Sequence, residues 1–176
     1  MFRRNNSNFY ITLTRFSPDT FKQNYDYRIK NNIQGCIYGS PRQPTPSIPY
    51  DSTIFVFEML NINDRKNDKY PGRIIGMSII KNRPLPYHHH IYDDPNYNRF
   101  IYQSLFHIER INMSEHQENM MNRLDTLCFR GKCHMKRGQG FTLIPQKYLI
   151  INNDLAEICI ELLREKFERS RDDVYN

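Results

Sequence analysis

The sequence predicts one α+β domain: a curved mixed sheet or partial β-barrel of five to six strands, with one early helix and two late helices. Three observations support this prediction. Short segments rich in β-branched and aromatic residues recur through residues 9–111. One helix pattern follows the first of these segments, and two lie in residues 112–170. No repeat or linker divides the chain, so we expect a single domain over 1–176, with residues 1–8 as an N-terminal arm.

The first strand is predicted at residues 10–16, where β-forming residues alternate. A helix follows, because Ser17 is a good N-cap and Pro18 suits the first turn. Residues four apart are expected to form its buried stripe, namely Phe21, Tyr25 and Ile29.

Two longer strands at 53–60 and 73–80 are expected to be antiparallel neighbours, with the first strand in the same sheet. Gly76 marks a bulge or a close backbone approach in the second of them. A short strand at 35–39 precedes this hairpin, and a second hairpin is predicted to join 98–102 with 105–111.

Capping boxes predict both late helices. Ser114 with Gln117 begins the first, whose apolar face is Met120, Met121, Leu124, Leu127 and Cys128. Asp154 with Glu157 begins the second, which is expected to run to about residue 169.

This order of elements resembles the PUA-like superfamily in its YTH or EVE branch. The hairpin, in which one strand ends at Asn61 and the next contains Gly76, resembles that family over residues 9–111. Tyr38-Gly39-Ser40 stands where YTH domains carry a cage aromatic, a small residue and serine. The resemblance implies a reader of a modified nucleotide, although YTH cages are largely tryptophan and this chain has none. Residues 94–100 and 131–140 are also similar to short uncharacterised proteins of large cytoplasmic DNA viruses.

The net charge of +6 is concentrated in two segments. Residues 126–150 contain five basic residues and no acid, and residues 1–16 contain three arginines and no acid. Such a footprint is typical of proteins that bind a polyanion. A solvated loop whose charges serve solubility is the alternative.

The basic loop at 130–140 has the residue types that bind phosphate. Its glycines permit close backbone approach, and its cations are Arg130, Lys132, Lys136 and Arg137. Gln139 is a candidate for reading a base edge. A flexible basic turn between two helices is the alternative interpretation.

Aromatic and amide residues interleave in the loop that contains Tyr97, Asn98 and Arg99. This mixture suits stacking and edge recognition of single-stranded RNA. Tyr38, two residues before Ser40, is expected to stack on the base, and Asn61 or Asn98 to pair with its edge. A codon bias toward tyrosine and asparagine is the alternative explanation.

The sequence predicts no metal, no cofactor and no catalytic centre. His88, His89 and His90 are adjacent and cannot all face one ion, and Cys128, Cys133 and His134 lack the spacing of a zinc site. Glu58 lies in an otherwise apolar strand. Two interpretations are open: a buried carboxylate that acts as a general base or, as favoured, an edge-strand residue that faces water.

We therefore expect a non-enzymatic nucleic-acid-binding module, with RNA favoured as the ligand, DNA left open, and a modified nucleotide as one candidate. The alternative is a viral structural or assembly protein whose basic segment binds an acidic partner; a small nuclease ranks third. No membrane partner is expected, because no run of eighteen apolar residues exists. Four cysteines without paired spacing favour a reducing compartment, the cytoplasm or, for a viral protein, the host cytoplasm or virus factory.

Overall fold

A computed structural model describes residues 9–61, 72–104, 106–130 and 139–145, together with Cys159, Glu161 and Arg164. Within these residues the fold is α+β, as predicted. Its strands and helices are β1 (Phe9–Phe16), α1 (Pro18–Lys30), β2 (Cys36–Ser40), β3 (Thr53–Asn61), β4 (Gly72–Lys81), β5 (Phe100–Ser104), β6 (Phe106–Glu109), α2 (Glu115–Phe129) and β7 (Thr142–Leu143). Short 3₁₀ helices span Pro95–Asn98 and Arg110–Asn112.

The main sheet is open and has the strand order β6-β4-β3-β1-β7. β3 and β4 are antiparallel neighbours, and β1 lies beside β3 in the same sheet, so both predictions about these strands are confirmed. β1 and β3 run parallel, which places their carboxyl ends at one edge of the sheet. β2 and β5 form a separate antiparallel ladder.

The predicted second hairpin is wrong, because β5 pairs with β2 whereas β6 pairs with β4. One residue separates β5 from β6, which is too short for a hairpin loop. The Ser104 hydroxyl is within hydrogen-bond distance of the carbonyls of Ile79 and Phe106 and accepts from the Phe106 N–H at 3.1 Å. This serine fixes the point at which the chain passes from the small ladder to the main sheet.

Both faces of the main sheet are buried, and strand alternation separates them. One face packs against α2, whose Met120, Met121, Leu124 and Cys128 are buried as predicted. The other face packs against the β2–β5 ladder and α1. Glu58 and His107 lie on this second face, since their strand neighbours Phe57 and Ile108 belong to the α2 side.

Helix α1 begins as predicted, but a different face of it is buried. Ser17 is the N-cap and forms a capping box with Thr20. Of the predicted apolar stripe, Phe21 packs partly buried against the core, but Tyr25 and Ile29 are 47% and 63% exposed, so the prediction is wrong at these two positions. Asn24 is buried instead, because its amide donates to the Ile37 carbonyl at 2.6 Å and so anchors the helix on β2.

Several predictions fall on residues outside the described part of the chain. These are the hairpin tip within 62–71, the central part of the basic loop at 131–138 and most of the last helix. Cys159 of that last helix is described, and it is helical and buried. None of the described helices is long and apolar enough to cross a membrane.

Candidate functional site

A cavity of about 260 Å³, the small cavity, opens where β1 and β3 end. Their parallel pairing brings Phe16 and Asn61 to the same edge, and α1 begins there directly after β1. Its aromatic lining residues are Phe16, Tyr38, Tyr92 and Tyr97. Its polar lining residues are Thr14, Arg15, Ser17, Thr20 and Asn61, and Gly39 and Gly140 complete the wall.

The mouth of the small cavity carries positive charge from two sources. Arg15 is exposed on β1, and the N-terminus of α1 contributes its dipole through Ser17 and Thr20. The Ser17 and Thr20 hydroxyls accept from each other's backbone N–H groups at 3.1 and 2.9 Å. These bonds hold the first turn rigid beside the arginine.

Tyr38 forms part of the cavity wall but offers no open stacking surface. It is 1% exposed, and its ring packs on Phe16 and Phe141 at centroid distances of 6.5 and 5.9 Å. Its hydroxyl donates to Glu58 Oε1 at 2.5 Å. The expectation that Tyr38 stacks on a base therefore needs correction, because β2 lies between two packed layers and buries this ring.

Tyr97 is the half-buried aromatic of the cavity. Its ring meets that of Tyr92 edge-on at 6.0 Å, and the Tyr92 hydroxyl is held by the Asn24 amide at 3.1 Å. The Tyr97 carbonyl passes so close to β2 that a Cβ at Gly39 would lie 2.2 Å from it. A glycine at position 39 is therefore what allows this loop to close the cavity.

Three predicted ligand-binding residues have structural roles or lie elsewhere. Asn98 is buried, and its amide accepts from the N–H groups of Ile91 and Tyr92 and donates to the Tyr92 carbonyl. Ser40 is buried and donates to the Arg42 carbonyl at 2.5 Å. Arg99 covers the Phe100 ring at 5.4 Å and is not among the residues that line either cavity. The predicted roles of Asn98 and Ser40 are corrected on this geometry.

The basic loop is described only at its two ends. Lys132, Lys136 and Arg137 lie outside the described residues. Arg130 is exposed at the C-terminus of α2, and Gln139 is exposed next to Gly140, which lines the small cavity. The structure thus brings the carboxyl end of the basic loop to the cavity.

A second cavity of about 600 Å³, the large cavity, lies between α1, β4 and β6. Its apolar lining comes from residues such as Phe21, Tyr25 and Ile75. Its charged lining residues are Arg28, Glu58, Arg73, His107, Glu109, Arg110 and Glu118. It reaches the same buried carboxylate that accepts from Tyr38.

Glu58 does not face water, so the favoured sequence interpretation is wrong. It is 3% exposed, because β3 is a central strand and the β2–β5 ladder covers this face. Its Oε2 lies 3.1 Å from His107 Nε2. Burial alone would raise the pKa of Glu58, but the charge and hydrogen bond of His107, with the Tyr38 bond, hold that pKa below its usual value.

Cys36 completes a buried polar cluster that sequence spacing did not reveal. Its Sγ, a Glu58 carboxylate oxygen and a His107 ring nitrogen lie within 4.8 Å of one another. Burial, with the Glu58 charge, raises the pKa of this thiol well above its usual value. The three residues are far apart in the sequence, and only the approach of β2, β3 and β6 brings them together.

The other candidate metal ligands do not assemble among the described residues. The Tyr27 hydroxyl and His89 Nδ1 are 2.8 Å apart, whereas His88 and His90 are exposed. Cys128 is buried on the α2 side of the sheet, and Cys133 and His134 lie outside the described residues.

Comparisons with protein-family models, curated proteins and solved structures find no match to this chain. Its class is therefore defined by the elements of its described residues: an α+β protein with an open five-stranded mixed sheet and a separate two-stranded ladder.

Proposed function

We propose that this chain is a nucleic-acid-binding module of PUA-like type that holds one base of a single-stranded RNA in the small cavity. One observation carries the proposal. Tyr38, Asn61 and Tyr97, which are all candidates from the sequence, line the same cavity as Gly140, the last residue of the basic loop at 130–140.

The cavity has the size and lining that suit a single base. Its volume of about 260 Å³ is near the lower end of ligand pockets, which begin at roughly 300 Å³. Bases bind to proteins by stacking on aromatic rings and by hydrogen bonds along their edges. Tyr97 supplies the half-exposed ring, and Asn61 supplies an amide to the lining of the same cavity. A modified base is a candidate ligand because aromatic walls also accept a methyl group.

The surroundings of the cavity suit the phosphate backbone. Arg15 and the N-terminus of α1 form one cationic side, and the basic loop of residues 130–140 approaches through Gly140. A strand that places a base between them has phosphates within reach of both. Binding of a phosphate backbone explains why the net charge of +6 is concentrated in a few segments.

The fold supports the PUA-like assignment. The order β1-α1-β2 followed by the β3–β4 hairpin is the order on which the resemblance was based. Asn61 ends β3, and a register shift in β4 lies next to Gly76. The cavity lies at the end of this hairpin, beside the short strand that carries Tyr38.

Equilibrium binding of a short fluorescent single-stranded RNA tests the proposal. Tyr97→Ala removes the accessible stacking ring and should weaken binding by about 1–3 kcal/mol, roughly 5- to 150-fold. Tyr87→Ala is the matched control, since Tyr87 is 75% exposed and lies outside the small cavity. Its affinity should equal that of the wild type.

The same titrations separate this function from the alternative. Affinity that varies with base identity and falls with salt supports the RNA-binding module. A folded wild-type protein that binds no single-stranded RNA at low salt contradicts it. The assembly protein with an acidic partner would then be the better explanation of the basic segments.

A further inference from the structure

We propose that Cys36, Glu58 and His107 form a binding site for one divalent transition-metal ion of the zinc type. Their Sγ, carboxylate oxygen and ring nitrogen lie within 4.8 Å of one another between the main sheet and the β2–β5 ladder. Ligand atoms around tetrahedral zinc lie roughly 3.5 Å apart. Side-chain shifts of about 1 Å therefore close the site around an ion.

Gly76 makes room for this cluster. Glu58 is on β3 and His107 is on β6, and β4 runs between those two strands. A Cβ at Gly76 would lie 2.9 Å from Glu58 Oε2 and 3.1 Å from His107 Nε2. The missing side chain leaves the space in which the carboxylate and the imidazole meet across the strand.

The donor set defines the class of metal. Thiolate and imidazole select zinc, cobalt and related ions over magnesium and calcium, which prefer oxygen ligands. One thiolate, one carboxylate and a neutral imidazole carry two negative charges together. A divalent ion balances that charge, which matters because an uncompensated charge is costly in an apolar interior. Binding releases the Cys36 thiol proton to solvent, together with the imidazolium proton where His107 is charged, and no redox partner is needed.

Without an ion, the Cys36 thiol makes long hydrogen bonds to Asn24 Oδ1 and to the Ile37 carbonyl, at 4.0 and 3.9 Å. An ion at this cluster would replace these long contacts with a direct bond to the Cys36 sulfur.

The three ligands found among the described residues leave one coordination position of a tetrahedral ion open. This is the arrangement of catalytic zinc sites, whereas structural sites have four protein ligands. The large cavity of about 600 Å³ reaches Glu58 and His107, so solvent has access to the ion. Spacing rules predicted no zinc because they compare neighbours in sequence, whereas these ligands come from three separate strands.

Cobalt titration of the full-length, reduced, metal-free protein tests the site. We expect one Co²⁺ per chain, a thiolate-to-cobalt charge-transfer band in the near ultraviolet, and displacement of Co²⁺ by Zn²⁺. Cys36→Ser should abolish the band. The matched control is the double variant Cys128→Ser/Cys133→Ser, which removes two cysteines outside the proposed site and should keep the band.

Two results overturn the proposal. One is a folded wild-type protein that shows no thiolate band at excess Co²⁺. The other is a band that persists in Cys36→Ser and disappears in the double variant. If Cys36→Ser does not fold, His107→Gln keeps a polar side chain at the site and should weaken Co²⁺ binding roughly tenfold or more; unchanged affinity also contradicts the site. None of these readouts depends on RNA binding in the small cavity.

Discussion

Buried polar side chains determine much of the geometry around the two cavities. Asn24 holds α1 on β2, Asn98 organises the loop that carries Tyr97, and Glu58 joins Tyr38 to His107. Sequence patterns identify the polar residue but not its partner. Asn98 was therefore interpreted as a base reader and Glu58 as a surface residue, since their burial depends on strands that are distant in sequence.

Replacement of Asn98 should destabilise the fold. Asn98→Ala leaves the N–H groups of Ile91 and Tyr92 without their acceptor, which should lower the free energy of unfolding by about 2–3 kcal/mol. Urea denaturation measures this change. Asn96→Ala is the control, because Asn96 is exposed in the same loop. Equal midpoints for the two variants would show that Asn98 does not anchor the loop.

The ion pair between Arg110 and Glu118 predicts a dependence of stability on pH. The Arg110 guanidinium donates to both Glu118 carboxylate oxygens at 2.8 Å and thereby lowers the pKa of Glu118 from its usual 4.5. A lowered folded-state pKa stabilises the fold above pH 4.5, and this stabilisation is lost as the pH falls through the folded-state pKa.

Glu118→Gln should therefore be less stable than the wild type at pH 7, with a difference that shrinks as the pH falls below 4.5. The effect should be less than about 1 kcal/mol, because Glu118 is partly exposed and solvent screens the pair. Urea midpoints across this pH range measure it. A pH-independent difference between Glu118→Gln and the wild type contradicts this explanation.

At the scale of elements, short sequence patterns predicted the features that depend on residues close together in the chain. The caps of α1 and α2 and the β3–β4 pair follow from short patterns, and the structure confirms them. The buried face of α1 and the partners of β5 and β6 depend on tertiary contacts. Only one residue separates β5 from β6, yet the two strands belong to different sheets. The alternation of apolar and polar residues does not predict this change of sheet.

Gly76 lies on β4, between β3 and β6, and a side chain at this position should disturb the packing of all three strands. In Gly76→Ala, the new Cβ would meet Glu58 Oε2 at 2.9 Å and the Ile108 carbonyl at 3.0 Å. We expect a loss of about 1–3 kcal/mol in unfolding free energy. Ser78→Ala on the same strand should be neutral or slightly stabilising, because it removes a buried hydroxyl without a good partner. Thermal unfolding of both variants provides the comparison, and equal effects would contradict this explanation.

At the scale of the whole molecule, the sequence identified individual residues of the small cavity but not how they are arranged around it. Asn61 and Tyr97 were chosen for their chemistry, and the parallel β1–β3 pair and the loop over Gly39 bring them to one cavity. Arg15 was counted only in the charge of the N-terminal segment. Its place beside the start of α1 follows from the turn between β1 and α1.

The basic loop should set the salt dependence of RNA binding. Each phosphate contact on a single strand contributes a slope of about −0.7 in log affinity against log salt. The triple change of Arg130, Lys136 and Arg137 to alanine should therefore flatten the slope by about 2 and weaken binding to all sequences alike. Titrations at several salt concentrations measure it. An unchanged slope in a folded triple variant would exclude the loop as the phosphate site.

Photo-crosslinking tests the central claim, that a base of single-stranded RNA occupies the small cavity. The wild-type chain is irradiated with a thiouridine-containing single-stranded RNA at saturating concentration, and the adducts are mapped by peptide mass spectrometry. The account predicts adducts at the cavity aromatics, chiefly Tyr97, that an unlabelled RNA of the same sequence competes away. Adducts confined to exposed tyrosines outside the cavity, such as Tyr50 and Tyr87, or the absence of any competable adduct, would contradict it.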